Sequence, residues 1–258
     1  MSGTPGGTGL LHVEGLGLAT KAGPVFADVS FTLEPHALAV VLGAAGSGRS
    51  ALLLALCGRM RGTTGSVRLG RSLRTRPADL RRETSVARLG TLVGLEDQLS
   101  VAESTTERAL VDGVQRADAE SALVAAEEAF GVSFGRDRLV QDLGAYEQTL
   151  LAVALATARP AELVVLDDAD RALDVADQQR LYAALGRFCA TGPCVLAASA
   201  EAAAVPAGTL VVPLPTPAAA TAAAEPTPEP TPDPEPAEPA PGPAAAAPTP
   251  DPTAGETD

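Results

Sequence analysis

Apolar and polar positions alternate near the start of the chain and give way to a longer repeat further on. Residues 10–13 and 29–33 read as strands, with Val29, Phe31 and Leu33 sharing a side, joined across a turn-like Lys21-Ala22-Gly23-Pro24. Residues 37–42 form an unbroken apolar run, and 51–57 form another that Gly58 can stop. A glycine-rich stretch separates them, so the predicted order is strand, loop, helix. Further strands are predicted at 65–69 and 87–93, around an arginine-rich segment, 71–82, that is expected to be solvated. From 101 to 130 the period is helical, with Leu123, Ala126 and Phe130 on one face, Asp118 available as a cap and Gly131 beyond the end. A second helical run covers 146–159 and stops at Pro160. A short strand at 162–166, a helix at 175–190 and strands at 194–198 and 209–214 follow. Strands that alternate with helices predict an α/β fold with a mostly parallel sheet covered on both faces.

Composition changes abruptly after this. From Pro213 to the end lie 15 of the 22 prolines and eight acids, with no basic residue. Such a segment cannot bury enough apolar surface to offset its ordering entropy, so 215–258 is expected to be a disordered, partly polyproline II tail. It reads as a spacer or solubilising tail, with a docking segment as the alternative. Residues 1–9 are expected to be flexible. The remaining length and the 46% hydrophobic content allow one full-sized domain. The formal charge of −13, with scattered basic residues, argues against nucleic acid as a partner.

Cys57, Cys189 and Cys194 lack metal-ligand spacing and lie in apolar contexts, which predicts buried reduced thiols in a cytoplasmic protein. His12 and His36 read as surface or edge residues. The start has no signal-peptide pattern, and no apolar run approaches the roughly 20 residues that span a bilayer. Any membrane role is therefore expected to come through a partner.

Gly43, Ala44, Ala45, Gly46, Ser47, Gly48, Arg49 and Ser50 follow the phosphate-loop pattern GxxxxGK[ST] with arginine in the lysine position. In that pattern glycines let backbone N–H groups close around phosphates, the lysine reaches the β and γ oxygens, and the hydroxyl meets Mg²⁺. Lys21, the only lysine in the chain, is not close enough in sequence to substitute. About 120 residues downstream, LVVLDD at 163–168 is an apolar strand that delivers Asp167, as a P-loop fold delivers the aspartate that orders the Mg²⁺ shell. Together these features predict a P-loop nucleotide fold.

The run VEGLGLATKAGPVFADVSFTLEPHALAVVLGAAGSGRSALLLALCGRMRGTTGSVRLG resembles the opening of the ATPase subunits of ATP-binding cassette (ABC) transporters, and the similarity extends to about residue 214. LGAYEQTLLAVALATARP, at 143–160, occupies the place of that family's LSGGQ helix, and Ala172-Leu173-Asp174 matches its D-loop. The resemblance implies a P-loop NTPase (RecA-like) core with an N-terminal antiparallel β subdomain and a helical subdomain at about 95–158, together spanning 10–214. It implies ATP and Mg²⁺ as ligands, with the loop through Ala51 binding nucleotide and Ser50 and Asp167 holding the metal. It also implies a homo- or heterodimer with another cassette and a membrane-spanning permease-type partner, placing the chain at the inner face of the cell membrane.

Mapped onto the family, the chemistry is altered at most stations. The adenine-stacking aromatic falls at Thr20, and the glutamine next to the Mg²⁺ falls at Gly94, with Glu96 and Gln98 close enough for a shifted register. The signature serine and glycines fall at Gly144, Ala145 and Tyr146, ahead of Glu147. The catalytic glutamate becomes Asp168, one methylene shorter, and the switch histidine becomes Ala200. Gly43, Gly46, Gly48, Ser50, Asp167 and Asp174 persist. The expected function is an ABC-type subunit that binds Mg-ATP and hydrolyses it weakly or not at all. The alternative is a nucleotide-sensing or scaffold pseudo-ATPase working through protein interactions.

Overall fold

The computed structural model describes residues 10–70 and 76–216. The expectations for 1–9 and for the tail from 217 onward lie outside the described residues, as does part of the arginine-rich segment.

Strands β1 (Leu11–Thr20), β2 (Gly23–Leu33) and β4 (Thr63–Leu69) form an antiparallel sheet in the order β2-β1-β4. Both hairpin strands are longer than predicted, because β1 runs through Gly15 and Gly17 by shifting register against both neighbours. Glycines inside a strand hide its alternation and mark bulges. A Cβ at Gly65 would collide with the backbone of Glu14 and Gly15, which shows how closely the chains approach there. His12 lies on the central strand of this sheet and is buried, its Nδ1 3.2 Å from Thr32 Oγ1, which corrects the surface reading. His36 is exposed in the turn before the next strand, as expected.

The second sheet is parallel throughout, in the order β5-β6-β7-β3-β8, built from β3 (Leu38–Leu42), β5 (Thr84–Arg88), β6 (Leu163–Leu166), β7 (Cys194–Ser199) and β8 (Leu210–Pro213). Its side chains alternate between two cores. Ala39, Val41, Val165 and Leu196 face helix α1 (Arg49–Leu56) and the antiparallel sheet. Val40, Val164, Val195 and Ala197 face α5 (Ala145–Leu155) and α6 (Val175–Thr191). Period-two burial on both faces is what an interior parallel sheet requires.

Strand β5 begins three residues before its predicted start. Thr84 and Ser85 are buried at its head, satisfied by Thr84 Oγ1 donating to Leu80 O at 2.6 Å and Arg108 donating to Ser85 Oγ at 2.7 Å. Beyond Arg88 the chain leaves the sheet and closes a small Leu89–Val93 bridge. Pro77–Glu83, in the segment expected to be solvated and given no element from the sequence, is helix α2, exposed along most of its length with Leu80 buried.

The 101–130 helix is two helices, α3 (Val101–Asp112) and α4 (Arg116–Phe130), parted at Gly113, whose φ is 69°. Ser100 caps α3 in a reciprocal box with Glu103, and Gln115 rather than Asp118 precedes α4. Arg136 joins Glu127 (2.7 Å) and Glu120 (2.6 Å), pinning the loop after α4. The three cysteines are buried and free, and burial pushes the Cys189 thiol up to about 12.

Candidate functional site

The glycine loop joins β3 to α1 through conformations that other residues resist. Gly46 and Gly48 have φ of 80° and 92°, and a Cβ at Gly48 would lie 2.8 Å from Val25 O on β2. A Cβ at Gly43 would lie 2.6 Å from Leu214 O, whereas one at Gly46 would meet nothing within 4 Å. The loop is therefore braced at both ends and open in the middle. Helix α1 has no side-chain cap and no acid in its first turn, so its first N–H groups and its positive dipole end remain available to an anion. Ser47 Oγ is buried beneath the loop without a hydrogen-bond partner among the described residues.

Strand β6 delivers Asp167 to this loop. Its carboxylate is fully buried, accepts from Ser50 Oγ at 2.5 Å and takes the Asp168 N–H at 3.1 Å. Burial pushes its carboxyl above the ordinary range, with Asp168 adding repulsion and the Ser50 bond opposing it. A hydroxyl and a desolvated carboxylate in contact make a hard-oxygen pair suited to Mg²⁺, and the residues present fit that ion.

Arg49 takes a course of its own. Its Nη1 donates to the loop's own Gly43 O, and its Nη2 pairs with Asp168 Oδ1 at 3.1 Å. Asp168 is held on its other side by Arg88, whose Nη2 donates to Asp168 O at 2.7 Å and whose Nε donates to Asp167 O at 3.2 Å. Asp168 sits at φ 47°, the left-handed region that a non-glycine residue rarely adopts. Sequence reasoning missed Arg88, although an arginine ending an otherwise uncharged strand, TSVAR, was the available signal.

The remaining stations lie around this centre. Gly43 N donates to Ser199 O, which brings the loop beside Ala200, whose own N–H donates to Asp170 Oδ2 at 2.8 Å. Thr20 ends β1 and uses its hydroxyl within the hairpin turn, donating to Gly23 O and accepting from Ala22 N. Asp174 caps α6, accepting from Asp177 N at 2.8 Å. Gly94 lines a polar cleft of about 560 Å³ together with Arg88, Thr91, Glu96, Gln148 and Arg171. Gln98 pairs with Gln141 at 2.9 Å.

At the start of α5, Gly144 is the N-cap and Ala145 opens the helix. Glu147 folds back so that its Oε2 accepts from Gly144 N at 3.1 Å, and Arg138 clamps both of its oxygens at 3.0 and 3.2 Å. The Arg138 bond holds the Glu147 carboxyl below its ordinary range despite some burial. The Tyr146 ring lies 4.6 Å beneath the Arg180 guanidinium. Hydrogen bonds connect this helix to the nucleotide loop through Arg88, which donates to Thr149 Oγ1 at 3.0 Å.

Residues 26–171 match the sequence model of the ABC transporter family. The chain is 32% identical over 194 residues to the hemin import ATP-binding protein HmuV of Pseudomonas entomophila, covering 72% of this chain and 75% of that one. It is 32% identical over 191 residues to the cytochrome c biogenesis ATP-binding export protein CcmA of Alkalilimnicola ehrlichii, covering 73% and 79%. Against the ribose import ATP-binding protein RbsA 1 of Rhizobium meliloti it is 30% identical over 195 residues, 72% of this chain but 38% of the relative. Among solved structures, cbiO1 from Clostridium perfringens, part of the ABC transporter complex cbiONQ, has the same fold at a TM-score of 0.63 and 16% identity, covering 76% of this chain and 80% of that one. A P-loop core whose β6 carboxylate meets the loop's serine, matched over these lengths, places the chain in the ABC transporter family as one of its ATP-binding proteins.

Proposed function

We propose that this chain holds Mg-ATP at the loop 43–51, with Ser50 and Asp167 as the metal station, and hydrolyses it slowly or not at all while acting on a membrane-spanning partner. The observation that carries the reading is the split around β6: Asp167 is joined to Ser50, whereas Asp168 is ion-paired to Arg49. The first arrangement keeps the groups that grip phosphate and metal. The second occupies the carboxylate at the position that the family uses as general base. A general base needs reach of about 2.6–3.2 Å, and Asp168 starts one methylene short and already engaged. Ala200 offers no ring to a reacting phosphate, and Tyr146 brings a bulky phenol to a position the family keeps for glycine.

The partner reading rests on surface chemistry. No helix among the described residues is long and apolar enough to cross a membrane. Leu92, Leu110 and Val111 are 77%, 78% and 75% exposed, and Leu92 and Val111 line a cleft with Val93, Leu95 and Ser104. Exposed apolar side chains grouped around a cleft fit a protein partner. On this reading the cassette spans 10–214, with a helical subdomain at about 95–158, works as a homo- or heterodimer and lies on the cytoplasmic face of the membrane. The second reading, a scaffold that works through protein interactions without bound nucleotide, is favoured by the Arg138–Glu147 clamp, which fills the start of the signature helix from within.

Thermal-shift titration with Mg-ATP separates the two. The proposal expects stabilisation that Ser50→Ala or Asp167→Asn abolishes, with turnover near background. No shift at millimolar Mg-ATP would leave the scaffold reading standing alone.

A further inference from the structure

Two arginines bracket Asp168. Arg49 takes its side chain from the phosphate loop, and Arg88 takes its main-chain carbonyl from the opposite side. The three guanidinium nitrogens of Arg88 donate to three places: Asp167 O, Asp168 O and Thr149 Oγ1. Thr149 is fully buried on α5, and its hydroxyl passes the connection on by donating to Ala145 O at 2.9 Å, in the first residue of that helix. Hydrogen bonds thus run without a gap from Gly43 O through Arg49, Asp168, Arg88 and Thr149 to Ala145.

An arginine is a demanding choice here, because it ends a buried strand and must be desolvated. What it supplies is a rigid planar fork that can serve three acceptors at fixed angles, which a lysine cannot do. Two of those acceptors flank the peptide that carries Asp168 into its left-handed conformation. That conformation is strained for a non-glycine residue and persists only where surrounding contacts impose it.

We infer that Arg88 is a positioning residue for the nucleotide site: it sets the main chain of Asp167 and Asp168 from behind and ties that setting, through the Thr149 hydroxyl, to the first turn of α5. The purpose of this tie rests on the nucleotide reading above, while its geometry does not. Whatever moves Asp168 away from Arg49, a bound phosphate included, then acts on α5 through Arg88. The Gly94 station offers no side chain for such a connection, and Arg88 lines the same cleft from the strand.

The test uses amide exchange on the full, nucleotide-free chain, comparing Thr149→Val, which keeps the shape and loses the hydroxyl, with Thr149→Ser, which keeps the hydroxyl and loses the methyl. The expected result is about fivefold faster exchange at the Asp168 and Ala169 amides in Thr149→Val and near-normal exchange in Thr149→Ser. Unchanged exchange at 168–169 in Thr149→Val, or equal effects of the two variants, would overturn the inference, since packing alone favours valine. A second measurement compares ATP affinity with Mg²⁺ and with chelator. Arg88→Gln is expected to cut the Mg²⁺-dependent gain by about tenfold while sparing metal-free binding, as loss of a group behind a metal ligand does. Equal losses with and without Mg²⁺ would overturn the metal side of the positioning role. A wild-type chain that binds no ATP would sink the proposed function instead, and the exchange comparison would still decide the role of Arg88.

Discussion

Helices α1 and α5 each follow a glycine, Gly48 and Gly144, and each begins at a loop that the family uses for phosphate. Both therefore present unsatisfied N–H groups and a positive dipole end at their first turns. At α1 this positive end is left open, with no acid in the first turn and no side-chain cap. At α5 the chain supplies its own anion, because Glu147 returns to Gly144 N and Arg138 neutralises it. The contrast shows that the same backbone groups are left open in one place and satisfied internally in the other. The two helix starts are thus unlike: the phosphate loop keeps an open framework, and the start of α5 is a self-contained structural end.

The contrast is most exposed at Gly48. Gly48→Ala puts a Cβ against Val25 O and forces alanine to φ near 92°. It is expected to cost about 2–3 kcal/mol of stability in chemical denaturation and to remove the Mg-ATP shift. Gly144 has φ −66° and only Glu147 Oε2 near its Cβ, so Gly144→Ala is expected to be mild. Equal losses at the two glycines would remove the distinction.

Much of this was legible in the residues themselves. Glycine spacing and the apolar runs on either side of 43–50 gave the strand, loop and helix, and LVVLDD gave the strand that meets them. What escaped depended on distant partners. Strand β1 conceals its length because bulges at Gly15 and Gly17 break the alternation. Thr84 and Ser85 look like coil until Leu80 O and Arg108 satisfy them inside the sheet. Arg88 falls inside the strand predicted at 87–93, and its role shows only once the peptides of Asp167 and Asp168 are folded over it. The Glu147 cap needed Arg138, nine residues earlier, to be recognised as a closed ion pair.

Arg49→Lys tests whether the phosphate-loop side alone limits activity. The substitution removes the planar fork that spans Gly43 O and Asp168 and leaves an ammonium of the kind the loop pattern accommodates. ATP affinity measured by fluorescent-nucleotide displacement is expected to rise several-fold. Phosphate release is expected to stay near background, because Ala200 and Tyr146 are unchanged. Robust turnover by this single variant would show that the signature end is not limiting.

Glu147→Ala removes the internal anion from α5. It is expected to destabilise the chain by about 1 kcal/mol at pH 7 and low salt, the usual worth of a carboxylate at a helix start. Added sulfate is expected to recover part of the loss, because Arg138 and the first-turn N–H groups are then unpaired. Full stability without sulfate would mean that the clamp is incidental.

The smallest expected effect is also the one that separates the two regions by sign. Glu147 is held below its ordinary value of 4.5, mainly by Arg138, so its contribution is complete above that pH and is lost as pH falls through its folded value. Asp167 is held above its ordinary 3.8, mainly by burial, so its ionised form opposes folding at neutral pH and that opposition is relieved as pH falls through the raised value. Asp167→Asn is therefore expected to be more stable than wild type by about 0.5 kcal/mol at pH 7 in the absence of nucleotide, while Glu147→Ala is less stable. Both differences should narrow on acidification, the Asp167 difference from above pH 3.8 and the Glu147 difference from below pH 4.5. Denaturant midpoints measured across that range check the order. Asp167→Asn falling below wild type at neutral pH would mean that the buried carboxylate is fully compensated by Ser50 without a cation, and the phosphate loop would then be as self-contained as the start of α5.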